Sequence, residues 1–170
     1  MFDFLVKWKI DSAFKKNERN HVFRNMESMK NILILFSYKD FAEIEYIAKD
    51  LKAKGKNVVM WTVFPSKKNA INTVFDANVR AIYPDEKSIF NIVSWSVSDE
   101  FHKLKYDTIM DLTTTDNDIL KYLLAINTSD CSIGISKSPH KGYNFIVLKE
   151  EDKTLWETYN EIKFYLNNVR

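Results

Sequence analysis

The chain has 170 residues, 45% of them hydrophobic and 14% aromatic, enough to bury a core without staples and too much for a disordered or low-complexity protein. A net charge of +2 without any base-reading motif disfavours nucleic-acid binding, and Cys131 as sole cysteine excludes an intrachain disulfide or a cysteine-based zinc site. The apolar runs Ile32 to Phe36 and Val58 to Phe64 fall far short of the ~20 residues of a membrane-spanning helix, and Lys7 and Lys9 break the opening too early for a signal peptide, so a cytoplasmic protein is expected.

Residues 1–30 form a basic, aromatic arm. They hold seven Lys and Arg against four Asp and Glu, a net charge of +3, which leaves −1 for residues 31–170. Phe2, Phe4, Leu5 and Trp8 alternate with Lys7, Lys9, Lys15 and Lys16, the composition of helices that lie on anionic membrane surfaces. On a helical wheel Phe2, Val6, Ile10 and Phe14 share one side, Phe4 and Trp8 fall away from it, and Lys9 intrudes. Docking on the domain, on a second copy or another protein, and peripheral contact with the inner membrane face therefore all fit the arm.

The run Asn31 to Phe36 predicts a strand buried on both faces. Ser37 or Asp40, each followed three residues later by an acid, is placed to cap a helix whose apolar side is Phe41, Ile44, Ile47, Ala48 and Leu51, and Gly55 marks its end. Asn57 to Val63 closes a βαβ unit, right-handed by the chirality rule. Beyond Pro65, Lys67 to Val79 reads as a helix and Val79 to Tyr83 as a short strand. Ile89 to Trp95 reads as a strand, Ser98 to Leu104 as a short helix and Tyr106 to Leu112 as a second central strand. Asp116 to Asn127 is a strongly apolar helix, Cys131 to Ile135 a strand and Tyr143 to Leu148 an edge strand; Lys153 to Val169 closes the chain as an amphipathic helix. This alternation predicts an α/β, three-layer, Rossmann-like sandwich with a mostly parallel sheet of about five or six strands, one domain over 31–170 plus the helical arm.

Phosphate-binding turns need glycine where backbone meets phosphate, yet the turn after the first strand, Phe36 to Asp40, has none, and neither the dinucleotide nor the P-loop fingerprint can be written with Gly55, Gly134 and Gly142. No cofactor is assigned. The candidate ligand turn is Asp111, Thr113, Thr114, Thr115 and Asp118, which leaves the carboxyl end of a central strand, where open α/β sheets place their crevice. Asp111 and Asp118 suit a hydrated metal, and Thr113 to Thr115 suit an anion at a helix start; Thr115 and Asp118 equally suit a capping box. His21, His102 and His140 are scattered, Cys131 reads as a small buried hydrophobe, and Ser136 to Gly142 is a polar, basic segment that suits contact with an anion and equally an ordinary loop, so no metal site and no catalytic residue is assigned.

The basic helix, Asn31 to Phe36, Phe90 to Trp95, Tyr106 to Leu112 and Glu161 to Asn168 together resemble a family of short bacterial α/β proteins of unknown function, which brings no activity with it. Tyr106 to Ile135 also resembles part of the N-terminal half of heptosyltransferase-type glycosyltransferases, implying a Rossmann-like half-domain without the second domain that holds the sugar nucleotide. The expectation is a non-enzymatic module that binds a protein, itself included, or a membrane surface through its arm. The alternative is a small-ligand or metal-dependent binder or enzyme at Asp111 to Asp118.

Overall fold

A computed structural model describes residues 2–66, 75–88, 90, 92–138 and 142–168. Ile32, Leu33, Ile34 and Leu35 of β1 (Asn31–Leu35) are all fully buried, because both faces of this strand are covered. β1 pairs in parallel with β2 (Asn57–Val63) on one side and β4 (Thr108–Asp111) on the other, so that Ile32 lies opposite Val58 and Thr108, and Leu35 opposite Trp61 and Asp111. β3 (Val79–Ile82), β5 (Cys131–Gly134) and β6 (Phe145–Ile146) complete a six-stranded, all-parallel sheet of order β3-β2-β1-β4-β5-β6. The order reverses between β1 and β4, the arrangement of a doubly wound sheet.

Alternation along β1 divides the core. Ile32, Ile34 and Phe36 meet α2 (Phe41–Ala53) and α5 (Leu155–Asn168) on one face. Leu33 and Leu35 share a second cluster with α1 (Phe2–Lys16), α3 (Trp95–His102) and α4 (Asp118–Ala125). Crossovers of one hand that run in opposite directions from the reversal place α2 and α4 on opposite faces.

The arm is built into both layers. Val6 and Ile10 are buried where α1 packs on α4, with Phe14 partly buried beside them. Beyond α1, Asn17 donates to the carbonyls of Ala125 and Asn127, and Arg19 donates to the Ser129 and Gly142 carbonyls and the Ser132 hydroxyl. Arg24 grips both carboxylate oxygens of Asp130, and Met26 and Met29 then enter the opposite core. The strap ends where the Asp107 carboxylate accepts the amides of Lys30 and Asn31, fixing the start of β1.

Several expected elements shift. Neither Ser37 nor Asp40 caps α2 through its side chain; a 3-10 turn over Tyr38–Asp40 leads into the helix instead. Gly55, at φ +77°, ends α2 as expected, in a conformation that disfavours a side chain. Thr115 and Asp118 do not form a capping box, because Asn117 is the cap and accepts from the Leu120 amide. Residues 89 and 91 of the expected strand Ile89 to Trp95 lie outside the described residues; among the others Val93 forms an antiparallel bridge with Lys87, and Trp95 already belongs to α3, whose cap is Ser94. Residues 67–74 of the expected helix Lys67 to Val79 lie outside the described residues. Tyr143 to Leu148 narrows to β6, which is indeed the sheet edge.

Asp50 staples α2 to α5 by accepting hydrogen bonds from Lys54, from the Tyr159 hydroxyl at 2.7 Å and from Lys163 at 3.0 Å. Burial opposes its ionisation, but these donors outweigh burial and hold the carboxyl down at about 2, against an ordinary 3.8. A depressed acid stabilises the fold above its unfolded value and loses that contribution as pH falls through its folded value. Asp50→Asn is expected to lower stability by about 1 kcal/mol at neutral pH. The deficit should shrink between pH 3.8 and about 2 in denaturant titrations run across that range.

Candidate functional site

In a doubly wound sheet the ligand crevice opens at the carboxyl ends of the strands, beside the reversal of strand order. Here that position over β1, β2 and β3 is filled. Phe64, Tyr83 and Tyr38, which follow β2, β3 and β1, pack with Phe75 and Phe41 at ring separations of 4.7 Å (Tyr38 to Phe64), 5.1 Å (Phe64 to Tyr83, Phe41 to Phe75) and 5.3 Å (Phe64 to Phe75). Ser37 is buried at the reversal itself, where its hydroxyl accepts the amides of Thr114 at 3.1 Å and Thr115 at 3.0 Å. The Thr114 hydroxyl donates to Asp40. The side chains that fail to cap α2 thus tie the β1 turn to the β4 turn.

The open space lies to one side, over the ends of β4 and β5. It is a cleft of about 620 Å³, walled by α1 (Ile10 and Phe14) and α4 (Leu120 and Leu124), with Ser136 and Tyr143 on its far side. At its base the Tyr143 hydroxyl donates to Asp111 Oδ2 at 2.6 Å, and the Thr113 amide donates to Asp111 Oδ1 at 3.1 Å. The Tyr143 ring reaches Asp111 by lying across Gly134, the cross-strand neighbour of Asp111; a Cβ at Gly134 would sit 2.6 Å from that ring.

Burial pushes the Asp111 carboxyl up, against the opposing hydrogen bonds from Thr113 and Tyr143. Burial, and then the Asp111 charge, push the Tyr143 phenol well above the ordinary range. The Thr113 hydroxyl is buried without a hydrogen-bond partner among the described residues. The lining carries five aspartates (Asp3, Asp11, Asp111, Asp116, Asp118) against three lysines (Lys7, Lys121, Lys137), and Lys121 is already paired with Asp116.

The structure therefore gathers Asp111, Thr113, Thr114, Thr115 and Asp118 around one cleft and adds Lys7 from the arm. The Thr113 amide serves Asp111, those of Thr114 and Thr115 serve Ser37, and that of Leu120 serves Asn117, so these four amides are already engaged within the chain. Among the described residues no three His, Cys, Asp or Glu side chains converge as metal ligands. Cys131 is buried, and burial pushes its thiol up. Of the remaining arm residues, Phe4 (73% exposed), Leu5 and Trp8 (59%) point to solvent, as do Lys7, Lys15 and Lys16, while Lys9 sits 4.5 Å over the Phe90 ring. The side chain of Phe2 lies outside the described residues. Sequence reasoning missed Tyr143 and read Ser37 only as a helix cap; the one available signal for Tyr143 was Gly134 within a strand, which marks a close approach.

Residues 3–169 match a family described as a family of unknown function, DUF6913. No curated protein matches the sequence. A solved structure similar to the chain is that of an exopolyphosphatase-related protein from Bacteroides fragilis, with 14% identity and a TM-score of 0.48, covering 94% of this chain and 44% of that one. The chain thus spans less than half the length of that protein.

If Gly134 exists to seat Tyr143, Gly134→Ala must displace the ring and break its bond to Asp111. The expected loss is about 1–3 kcal/mol, as for other overpacked sites. Thermal denaturation would register it as a fall of roughly 2–4 °C per kcal/mol; an unchanged melting temperature would refute the assignment.

Proposed function

The chain belongs to that family of unknown function, and we propose that it binds a small, uncharged or cationic polar molecule in the cleft between α1 and the carboxyl ends of β4 and β5. The observation that carries this reading is the Asp111–Tyr143 pair at the base of the cleft, beside the buried Thr113 hydroxyl. A ligand hydroxyl or amine satisfies both sites: it donates to Asp111 and shares a hydrogen bond with Thr113. The surplus of aspartates and the occupied amides disfavour a phosphate. Ile10, Phe14, Leu120 and Leu124 supply the apolar walls of a small-molecule site. No nucleophile paired with a base lines the cleft among the described residues, so the reading is binding rather than catalysis.

A second reading rests on the outward side of α1. At 100° per residue, Phe4, Trp8 and Lys15 form a line opposite the buried Val6 and Ile10, with Leu5 and Lys16 beside it. This is an amphipathic anchor turned away from the domain, and it supports peripheral contact of a cytoplasmic protein with an anionic membrane face. None of the described helices is long and apolar enough to cross a membrane.

For the cleft, a thermal-shift panel of amines, polyols and sugars, with phosphorylated compounds as contrast, should yield hits among the first three classes. A ligand present at a hundredfold its Kd adds about 2.7 kcal/mol. Asp111→Asn should abolish those shifts while melting no lower than the wild type, since it removes a carboxylate that burial opposes. Hits confined to phosphorylated compounds would overturn the reading. For the arm, the pair Phe4→Ser and Trp8→Ser should leave stability within about 0.5 kcal/mol and abolish co-sedimentation with phosphatidylglycerol vesicles; retained co-sedimentation rules the surface out.

A further inference from the structure

The two edges of the sheet are finished differently. On β3, Arg80 forms ion pairs with Glu86 at 2.6 Å and Glu100 at 2.9 Å, and such charges discourage pairing with another strand. On β6 the edge is apolar. Val22, Phe23, Ile146, Leu148, Phe164 and Tyr165 are each between 42% and 63% exposed, and none carries a charge. Phe23, Phe164 and Tyr165 are linked through Phe145, whose ring lies 6.0 Å from Phe23 and 6.4 Å from Tyr165, while Tyr165 lies 5.6 Å from Phe164; Ile146 and Leu148 alternate onto the other face of the same edge. The amides of Val147 and Lys149 turn inward to the carbonyls of Gly134 and Ile135. By alternation the backbone of Ile146 and Leu148 faces outward.

We infer that this edge is the interface of a symmetric homodimer, in which β6 pairs antiparallel with β6 of a second copy across a two-fold axis normal to the sheet. A two-fold requires a self-complementary patch, which six exposed uncharged side chains supply, and these six offer no charge by which an oppositely charged partner would be recognised. The same axis continues each sheet face into its counterpart, so Phe164 and Tyr165 of α5 meet α5 of the other copy. The exposed parts of the six side chains amount to on the order of 500 Å² per copy, about 1,000 Å² in the pair, the lower limit for a specific interface. The patch exceeds what scattered surface residues explain. It shares no residue with the Asp111 cleft or with the outward line of α1, so it stands independently of both proposed roles.

Sedimentation velocity of the full chain over a micromolar concentration series tests this. The wild type is expected to sediment as a dimer. Ile146→Lys and, separately, Phe164→Ser, both at solvent-exposed positions, should weaken association by about tenfold or more while the thermal transition of the monomer is kept. Phe4→Ser with Trp8→Ser should leave the dimer intact. A wild type that remains monomeric throughout, dimers that survive both β6-edge variants, or dimers lost with the α1 variant would each overturn the proposal.

Discussion

Everything in this fold follows from the burial of β1 on both faces. A strand reading Ile32, Leu33, Ile34, Leu35 with no polar face has to sit inside a parallel sheet with helices on either side. α2 and α5 cover one face. The crossovers that supply α3 and α4 to the other face leave it incomplete, and α1 contributes Val6 and Ile10 there. The basic arm, for which docking on the domain was one of several open readings, is therefore part of the second layer, and its strap carries Met26 and Met29 round to the first. Because α1 completes that layer on α4, it also becomes a wall of the cleft at the carboxyl ends of β4 and β5.

The same economy decides where that space lies. Without glycine, the turn after β1 does not bring backbone up to a phosphate, and the residues that occupy it turn inward: Ser37 takes the amides of Thr114 and Thr115, and Tyr38 joins the aromatic plug with Phe64 and Tyr83. The reversal of strand order, usually the ligand crevice, is thus stitched shut. The opening moves across to β4 and β5, where Gly134 leaves room for the Tyr143 ring.

Strongly periodic stretches were legible in the sequence. β1, α2, β2, β4, α4 and β5 announce themselves because a doubly buried strand is a continuous apolar run and a packed helix repeats at three and four residues. Shorter signals were outcompeted: Ile92 and Val93 are apolar because they are buried under a turn, not because they extend into a strand. Asn117 rather than Thr115 caps α4 because the helix begins at Asp118, which puts the Asn117 side chain in reach of the Leu120 amide. Asp111 and its threonines were found from their place at a strand end, but Tyr143 was not, since its contact with Asp111 spans 32 residues and leaves no periodicity. The imperfect wheel of α1 was itself informative: Val6 and Ile10 face the domain while Phe4 and Trp8 do not, and one helix serves two surfaces.

The acids of the chain show why the cleft stands out from the rest of the surface. Asp50, Glu86, Asp130 and Glu157 are all held below the ordinary carboxylate range by lysines, arginines or hydrogen bonds from neighbouring groups, which makes each an anchor that favours the folded state. Asp111 is pushed the other way. Burial opposes ionisation of its carboxyl and outweighs the hydrogen bonds from Thr113 and Tyr143. An acid kept in such a place, next to the buried Thr113 hydroxyl, is a departure from the satisfaction achieved elsewhere, and such departures gather where a protein meets something outside itself. Replacing Asp111 with a well-packed apolar residue would fill the position without that cost. Under the binding proposal, a ligand that donates to Asp111 offsets that cost.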